Sequence, residues 1–241
     1  MTDYILSNET REKLSRVSTA SVATALFKRG LRNQFVQGVV PLERKSITMV
    51  GQAFTLRYIS AREDRNPLSV FRDRGHKQRV AVESCPPGHV LVMDARKDSR
   101  AATAGSILIT RLALRGAAGV VSDGGVRDAA DIGALDMPAY FACSSAPTNL
   151  TLHEAIDINV PISCGDAPVF PGDVILGDGD GVMVIPAHLA DEIAQECTGM
   201  ESYEDFVLEQ VCGGAGIIGL YPPTDEDNLT KYAQWREKTG R

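Results

Sequence analysis

The sequence has 241 residues, and its 25 basic side chains against 31 acidic ones give a formal net charge of −6. Because a nucleic-acid backbone is bound by a basic surface, this acidic balance predicts no nucleic-acid partner. No apolar run approaches the ~20 residues needed to cross a bilayer, so we also expect no membrane partner. With 44% hydrophobic and 23% charged residues, the composition is that of an ordinary globular protein.

The cysteines indicate the cellular compartment. Their number, five, is odd, and no two of them lie at the spacing of metal ligands. The first ten residues also lack the basic stretch and apolar core of a signal peptide. We therefore expect a cytoplasmic protein with reduced thiols.

The first predicted elements are a helix and a strand. Residues 8–30 carry apolar side chains at near-helical spacing, and Gly30 is placed to end one amphipathic helix. Residues 53–59 are rich in β-branched and aromatic side chains and predict a strand. The charged residues 61–78 predict a surface excursion.

The centre of the chain predicts a βαβ unit. A buried strand over residues 90–94 is followed by a helix over residues 106–115 and a short strand at residues 120–121. Such a unit has parallel strands and a right-handed crossover. Asp123 and the two glycines after it, at 124 and 125, predict a tight turn directly after the second strand.

The remaining elements predict more strand and one long helix. Residues 139–143 form a short apolar segment, residues 161–186 are β-rich with glycine-containing turns, and residues 187–212 return to a helical pattern. Residues 219–241 are interpreted as an extended tail.

The functional candidates lie where two neighbouring strands end. Ligands of open α/β sheets bind beyond the carboxyl ends of parallel strands, where helix N-termini offer free backbone N–H groups. Gly105 precedes the predicted helix, which brings the amides of Ser106, Ile107 and Leu108 to that edge. We expect these four residues to bind an anionic group of a substrate.

Arg127 and Asp128 follow the next strand and complete the candidate site. The arginine is a planar donor suited to a carboxylate or an enolate. The aspartate is a hard oxygen ligand for Mg²⁺, Mn²⁺ or another divalent cation. An alternative is that the two residues only cap and salt-bridge the start of a helix.

These segments resemble a known family. Residues 104–106 and 115–128, with the motif Asp-Gly-Gly-Val-Arg-Asp at 123–128, are similar to the family of the regulator of ribonuclease activity A. Residues 17–26 and 171–186 extend the resemblance to about residues 15–198. The family also holds class II pyruvate aldolases that cleave 4-hydroxy-4-methyl-2-oxoglutarate, and many members were once called demethylmenaquinone methyltransferases.

The resemblance implies a fold and a set of roles. The fold would be α/β, of the β/β/α swivelling-domain type with a central βαβ unit, assembled as trimers or dimers of trimers. Arg127 would bind pyruvate and offset enolate charge, Asp128 would hold the divalent metal, and the amides of residues 106–108 would bind the substrate carboxylate. We interpret residues 1–212 as one such domain and residues 213–241 as a C-terminal arm that packs on a neighbouring subunit.

One position departs from the aldolases. They carry an acidic residue that positions a catalytic water where this sequence has Ser106, and a hydroxyl does not replace a carboxylate as proton acceptor near neutral pH. The aldolases also take an acidic side chain from the C-terminal region of a neighbouring subunit. Glu201, Glu204 and Glu209 are candidates for that role.

Two classes of function follow. The first is a metal-dependent lyase that acts on a small 2-oxo acid, by retro-aldol cleavage that releases pyruvate or by decarboxylation of an oxaloacetate-type substrate. Both reactions pass through an enolate. The alternative is a non-catalytic protein that binds and regulates a ribonuclease, or a diverged 2-oxo-acid enzyme of the same family.

Overall fold

The computed structural model describes residues 4–43 and 47–240, which form a mixed α/β fold. The helices in these ranges are α1 (Asn8–Leu14), α2 (Thr19–Lys28), α3 (Lys77–Ser84), α4 (Ser106–Leu114), α5 (Ala129–Gly133), α6 (Ala190–Cys212) and α7 (Glu226–Thr239). The strands are β1 (Val40–Pro41), β2 (Met49–Ser60), β3 (His89–Asp94), β4 (Ala102–Ala104), β5 (Gly119–Val126), β6 (Ala139–Ser144), β7 (His153–Ile158), β8 (Ile162–Cys164), β9 (Ala167–Val169), β10 (Val174–Gly177) and β11 (Val182–Ile185).

One curled sheet organises the described residues. Its strands follow the order β1-β6-β5-β3-β2-β10-β11, with β4 paired to β5 and β7 paired to β2. The strands β2, β3, β5 and β6 are parallel neighbours, and α3, α4 and α5 lie in the three connections between them. The predicted βαβ unit is therefore confirmed. Parallel strands end at one edge of a sheet, so the segments after β3 and β5 lie near each other.

Helices cover the sheet in two groups. The buried side chains of α3, α4 and α5 pack on one cluster with β3, β5 and β6, and Ile109 and Leu112 of α4 show the three-residue spacing of a buried helix face. Full burial of a leucine such as Leu112 contributes about 1.5–3 kcal/mol. The helices α1, α2 and α6 pack together against β10 and β11.

The single helix predicted over residues 8–30 is wrong, because the chain forms α1 and α2 with a break between them. Ser18 is the N-cap of α2, and its side chain accepts a hydrogen bond from the backbone N–H of Ser21 at 3.1 Å. The backbone N–H of Ser18 donates to Glu201 at 2.8 Å. A serine that satisfies free amide groups favours a new helix start over a continuous helix.

The tight turn predicted at residues 123–125 is also wrong, because β5 continues through these residues to Val126. The glycines are needed for close packing instead. A Cβ atom on Gly124 would lie 2.6 Å from Cγ2 of Thr103 in β4, and one on Gly125 would lie 2.6 Å from Cβ of Ser145. The register between β5 and β6 shifts between Ser122 and Gly125, which marks an irregularity in the ladder.

The extended tail predicted for residues 219–241 is wrong, since α7 occupies most of it. This helix packs on α6 of the same chain through an aromatic cluster of Tyr203, Phe206, Tyr232 and Trp235. The indole Nε1 of Trp235 donates a hydrogen bond to Glu209 at 2.8 Å. The tail's amphipathic residues are helical because α6 offers an apolar face to cover. Packing on a neighbouring subunit stays a prediction.

Other predicted elements are confirmed with small changes in length. The strands at residues 53–59, 90–94 and 139–143 correspond to β2, β3 and β6, and the predicted central helix is α4. Gly116 follows α4 with a φ of +83°, the left-handed value that favours glycine after a helix. In the described part of the chain, no helix has both the length and the apolar character needed to cross a lipid bilayer.

Candidate active site

A cavity of about 280 Å³ lies where β5 ends, beside α3 and α4. This volume is slightly below the ~300–1,000 Å³ that is typical of drug-sized ligands, which suits a small acid. The lining residues are Phe71, Gln78, Arg79, Ala102, Ala104, Gly105, Ile107, Leu108, Arg127, Asp128, Thr148 and Asn149. The structure thus brings Gly105, Ile107, Leu108, Arg127 and Asp128 to one cavity, with Ser106 beside it.

Asp128 is held against the N-terminus of α4. Its Oδ2 accepts hydrogen bonds from the backbone N–H and from the hydroxyl of Ser106, each at 3.0 Å. These two donors lower the pKa of the exposed Asp128 carboxyl from its ordinary value, the backbone N–H contributing most. The side chain is therefore an anion at neutral pH, fixed through one oxygen.

Backbone geometry at two positions aims this carboxylate at α4. Asp128 has a φ of +57°, in the left-handed region that aspartate tolerates better than most residues. A Cβ atom on Gly105 would lie 3.0 Å from Oδ2 of Asp128 and 3.6 Å from Cβ of Arg127. A side chain at position 105 would therefore crowd the Asp128 carboxylate, whereas its distance to Arg127 would be an ordinary van der Waals contact.

Arg127 is anchored by its backbone and free at its charged end. Its N–H donates to the carbonyl of Ala104 at 3.0 Å. Arg127 is exposed. Its guanidinium forms no ion pair with an Asp or Glu side chain in residues 4–43 and 47–240. It is thus available to an anionic ligand.

The alternative of a purely structural helix start is met in part, at a different helix, because Asp128 accepts the backbone N–H of Ser106, the first residue of α4, and so caps that helix. Asp128 is the N-cap residue of α5, but its side chain makes no capping hydrogen bond there. It reaches across to α4 instead, and no ion pair with Arg127 occurs among the described residues. The contacts join two separate strand ends.

The predicted row of backbone amides is only partly free. The N–H of Ser106 donates to Asp128, and the N–H of Leu108 donates to the carbonyl of Gly105 at 3.1 Å. The N–H of Ile107 makes no hydrogen bond to another described residue, and its side chain is 84% exposed. Substrate binding by these amides stays a prediction, with Ile107 as the open donor.

The donor set fits a hydrated Mg²⁺ or Mn²⁺ ion. Asp128 is the one carboxylate among the described lining residues, and its Oδ1 accepts no hydrogen bond from them. No group of three His, Cys, Asp or Glu side chains suited to a metal exists in residues 4–43 and 47–240. Mg²⁺ usually keeps several waters and is bound through one or two carboxylates plus substrate oxygens. One carboxylate beside a small cavity meets that requirement.

The three C-terminal glutamates lie elsewhere in this chain. Glu201 accepts from Ser18 and Ser21, Glu204 accepts from the hydroxyl of Tyr221 at 2.7 Å, and Glu209 accepts from Trp235. None of the three lines the cavity. A role for one of them in the site of a neighbouring subunit stays a prediction.

Sequence reasoning missed the wall formed by Phe71, Gln78 and Arg79. Phe71 and Gln78 come from residues 61–78, which were predicted to be a surface excursion and are indeed mostly exposed, and Arg79 follows directly after them. Arg79 lies with its guanidinium carbon 3.8 Å from the ring centroid of Phe71. The available signal was an aromatic residue and an arginine eight positions apart, which has no specific meaning without the fold.

The sequence matches a family model described as RraA-like, Aldolase/RraA, over residues 19–184. That match covers about two thirds of the chain. The chain belongs to the RraA-like family. The match contains the cavity residues from Phe71 to Asn149, including the three charged ones, Arg79, Arg127 and Asp128.

Individual members of the RraA-like family support the assignment. The chain is 39% identical over 117 residues to a Halalkalibacterium halodurans protein provisionally named as a 4-hydroxy-4-methyl-2-oxoglutarate aldolase, covering 48% of this chain and 55% of that protein. It is 29% identical over 144 residues to a Thermus thermophilus protein named 4-hydroxy-4-methyl-2-oxoglutarate aldolase, covering 60% and 86%. The chain spans about half the length of the first curated relatives it matches.

A solved structure agrees with the RraA-like fold. Streptomyces coelicolor RraAS2, described as an unusual member of the RNase ES inhibitor RraA protein family, superposes with a TM-score of 0.73 at 27% identity. The superposition covers 83% of this chain and 96% of RraAS2. The predicted α/β fold of the β/β/α swivelling-domain type, with a central βαβ unit and flanking helices, is confirmed.

Proposed function

We propose that this RraA-like protein is a divalent-metal-dependent carbon–carbon lyase that acts on a small 2-oxo acid. The observation that carries the proposal is the pairing of an exposed, oriented Asp128 carboxylate with the unpaired guanidinium of Arg127 in one small cavity. The aldolase names of the Halalkalibacterium and Thermus relatives support the same class of reaction.

Each residue has a role set by its contacts. Asp128 would hold the cation through its unoccupied Oδ1, while Ser106 fixes the other oxygen through two hydrogen bonds. A bound Mg²⁺ or Mn²⁺ would polarise the 2-oxo group as a Lewis acid. Arg127 binds the carboxylate end of the substrate and offsets the negative charge that develops on the enolate.

The two candidate reactions differ in whether they need a side chain that accepts a proton. Retro-aldol cleavage requires removal of a hydroxyl proton, whereas decarboxylation of an oxaloacetate-type acid loses CO₂ without that step. The described lining residues include no second carboxylate and no histidine. The hydroxyl of Ser106 already donates to Asp128. Within one chain the site is therefore better equipped for decarboxylation, and retro-aldol cleavage needs an acidic residue from a partner subunit.

A homo-oligomer would supply that residue. We propose assembly as a trimer or a dimer of trimers, with a C-terminal glutamate of one subunit close to the cavity of the next. The exposed apolar side chains of α4 and α6, among them Ile107, Leu114, Leu208 and Val211, are candidates for burial in such an assembly.

The test measures pyruvate release from oxaloacetate and from 4-hydroxy-4-methyl-2-oxoglutarate, with Mg²⁺ or Mn²⁺ and again with EDTA. We expect metal-dependent turnover that falls at least about a hundredfold in Asp128→Asn. Asparagine tolerates the left-handed backbone of this position, so the change removes charge without adding backbone strain. Asp131→Asn is the matched control on an exposed residue three positions away. Turnover that is unaffected by EDTA would contradict the metal proposal.

A second candidate is regulation of a ribonuclease by protein binding, favoured by the likeness to RraAS2 at 27% identity. Such a protein needs no oriented metal ligand, and Asp128→Asn would leave its binding unchanged. Absence of ribonuclease binding at micromolar concentration, together with lyase activity, would discard this candidate.

A further inference from the structure

Arg79 is a second cation of the cavity and has no anionic partner in the described residues. Its Nη1 makes one long hydrogen bond, 3.5 Å, to Oε1 of Gln78, and its guanidinium lies over the ring of Phe71. Gln78 is itself buried and donates through Nε2 to the carbonyl of Thr103 at 2.5 Å. The orientation of Arg79 is thus set by an anchored amide and an aromatic face.

The other half-buried arginines of the described ranges have stronger partners than Arg79 has. Arg11, which also lacks an ion pair, donates to the backbone carbonyls of Val50 and Gly88. Arg29, Arg57 and Arg111 each form an ion pair with an Asp or Glu side chain. Arg79 is half-buried without such a pair, and partial burial lowers its pKa from the ordinary value. A guanidinium still remains charged at neutral pH. A desolvated charge with no counter-ion gains more from an incoming anion than a solvated one does.

A second polar group of the same cavity also lacks a partner. Asn149 is 5% exposed, and its Nδ2 makes no hydrogen bond to any described residue. Buried donors in native proteins nearly always have an acceptor, from the protein, water or a ligand. An arginine without an ion pair, on α3, and an amide nitrogen without an acceptor, on the turn before β7, therefore line a cavity whose catalytic charges come from a different wall.

We propose that Arg79 is a specificity-determining residue that binds a distal carboxylate of the substrate, with Asn149 as an additional donor. The inference rests on the proposed function, because the 2-oxo end of the same molecule would occupy Arg127 and Asp128. Oxaloacetate and 4-hydroxy-4-methyl-2-oxoglutarate, the two substrates of the proposed function, each carry such a distal carboxylate, so what is new here is the residue that binds it. Phe71 and Gln78 are positioning residues, since they hold the guanidinium and do not take part in the reaction.

The test uses two ligands of equal chain length, 2-oxoglutarate and 2-oxopentanoate, which differ only in whether the distal end is a carboxylate or a methyl group. Affinities are measured by calorimetry with Mg²⁺ present, for the full chain and for Arg79→Gln. We expect wild type to prefer 2-oxoglutarate by about ten- to a hundredfold, the size of hydrogen bonds to a charged group. Arg79→Gln should remove that preference and change the affinity for 2-oxopentanoate by less than about twofold. Arg74→Gln changes an exposed arginine five residues before Arg79 that does not line the cavity, and it should keep the preference.

The outcomes separate this inference from the proposed function. If wild type binds both ligands equally, Arg79 does not select a distal carboxylate, although the 2-oxo-acid site stands. If Arg79→Gln weakens both ligands alike, or lowers the unfolding midpoint together with both affinities, the residue is structural and the inference fails. If neither ligand binds wild type, the inference and the proposed function fall together.

Discussion

Two aspartates of one six-residue motif have opposite surroundings. Asp123 lies inside β5 and is 2% exposed, whereas Asp128 follows the strand and is exposed. Asp123 accepts three backbone N–H groups, from Ala95, Lys97 and Gly165. Asp128 accepts two donors, both from Ser106, and both on the same oxygen.

The difference teaches that a carboxylate's role depends on how many of its acceptor positions the protein itself fills. Burial raises the pKa of Asp123, although its three amide donors act in the opposite direction. Hydrogen bonding lowers the pKa of Asp128, whose carboxylate remains exposed to solvent. Asp123 joins β3, β5 and the β8–β9 hairpin, and Asp128 keeps an oxygen for a ligand. Catalytic function is expected at the second residue and stability at the first.

The largest expected effect is on the catalytic side of this comparison. Arg127→Ala should lower kcat/KM for pyruvate release by at least about a hundredfold, because under the proposed function it removes the guanidinium that would offset the charge of the enolate. The denaturant unfolding midpoint should stay unchanged, since this guanidinium forms no ion pair in the described residues. Arg127→Lys keeps the charge without the planar fork and should recover part of the rate. If Arg127→Ala lowered the free energy of unfolding as much as a substitution in the core does, Arg127 would have a structural role and not a catalytic one.

At the buried Asp123, we expect a loss of stability. Asp123→Ala should reduce the free energy of unfolding by about 2–4 kcal/mol, because the buried N–H groups of Ala95 and Gly165 lose their acceptor. Urea unfolding followed by circular dichroism measures the change. Asp136→Ala, at an exposed aspartate after α5, is the control that should cost far less. An unchanged midpoint in Asp123→Ala would show that the three amide contacts carry little stability.

A smaller effect is expected at the residue that orients Asp128. Ser106→Ala removes the hydroxyl donor and leaves the backbone donor, so Mn²⁺ affinity should fall by about tenfold, as for other residues that orient a ligand. Ser106→Thr retains the hydroxyl and serves as the matched control. Titration with Mn²⁺, followed by its paramagnetic signal, measures both. Equal affinities in wild type and Ser106→Ala would mean that the backbone N–H alone orients the carboxylate.

The smallest expected effect is on the pH dependence of stability, and it compares a buried histidine with an exposed one. His153 is fully buried, and burial lowers its pKa from the ordinary value. The unfolded chain therefore binds a proton below a pH of about 6.5 while the folded chain does not, so stability should decrease as the pH falls from that value toward the lowered pKa. Urea midpoints at several pH values should show a shallower decrease in His153→Gln. His188→Gln, at an exposed position, should leave the slope as it is.

Local sequence patterns predicted the secondary structure correctly where residues adjacent in the sequence determine it. The strands at residues 53–59 and 90–94 and the helix α4 follow from apolar spacing and from flanking glycines. The order of these elements also predicted parallel strands, and hence the edge at which Arg127 and Asp128 emerge. Local signals failed at residues 15–18, where one serine starts a second helix, and at 226–239, where α6 provides the face that makes the tail helical.

The amino-acid sequence by itself determined the α/β class and the sheet edge at which Arg127 and Asp128 lie, because periodicity and strand order are properties of neighbouring positions. Only the tertiary structure decided which aspartate of the motif is buried, because that depends on the amides that Ala95 and Gly165 bring from distant segments. It also decided that Phe71 and Arg79 face the same cavity as Asp128. Contacts between residues far apart in sequence leave no periodic signal along the chain, so folding alone assembles them.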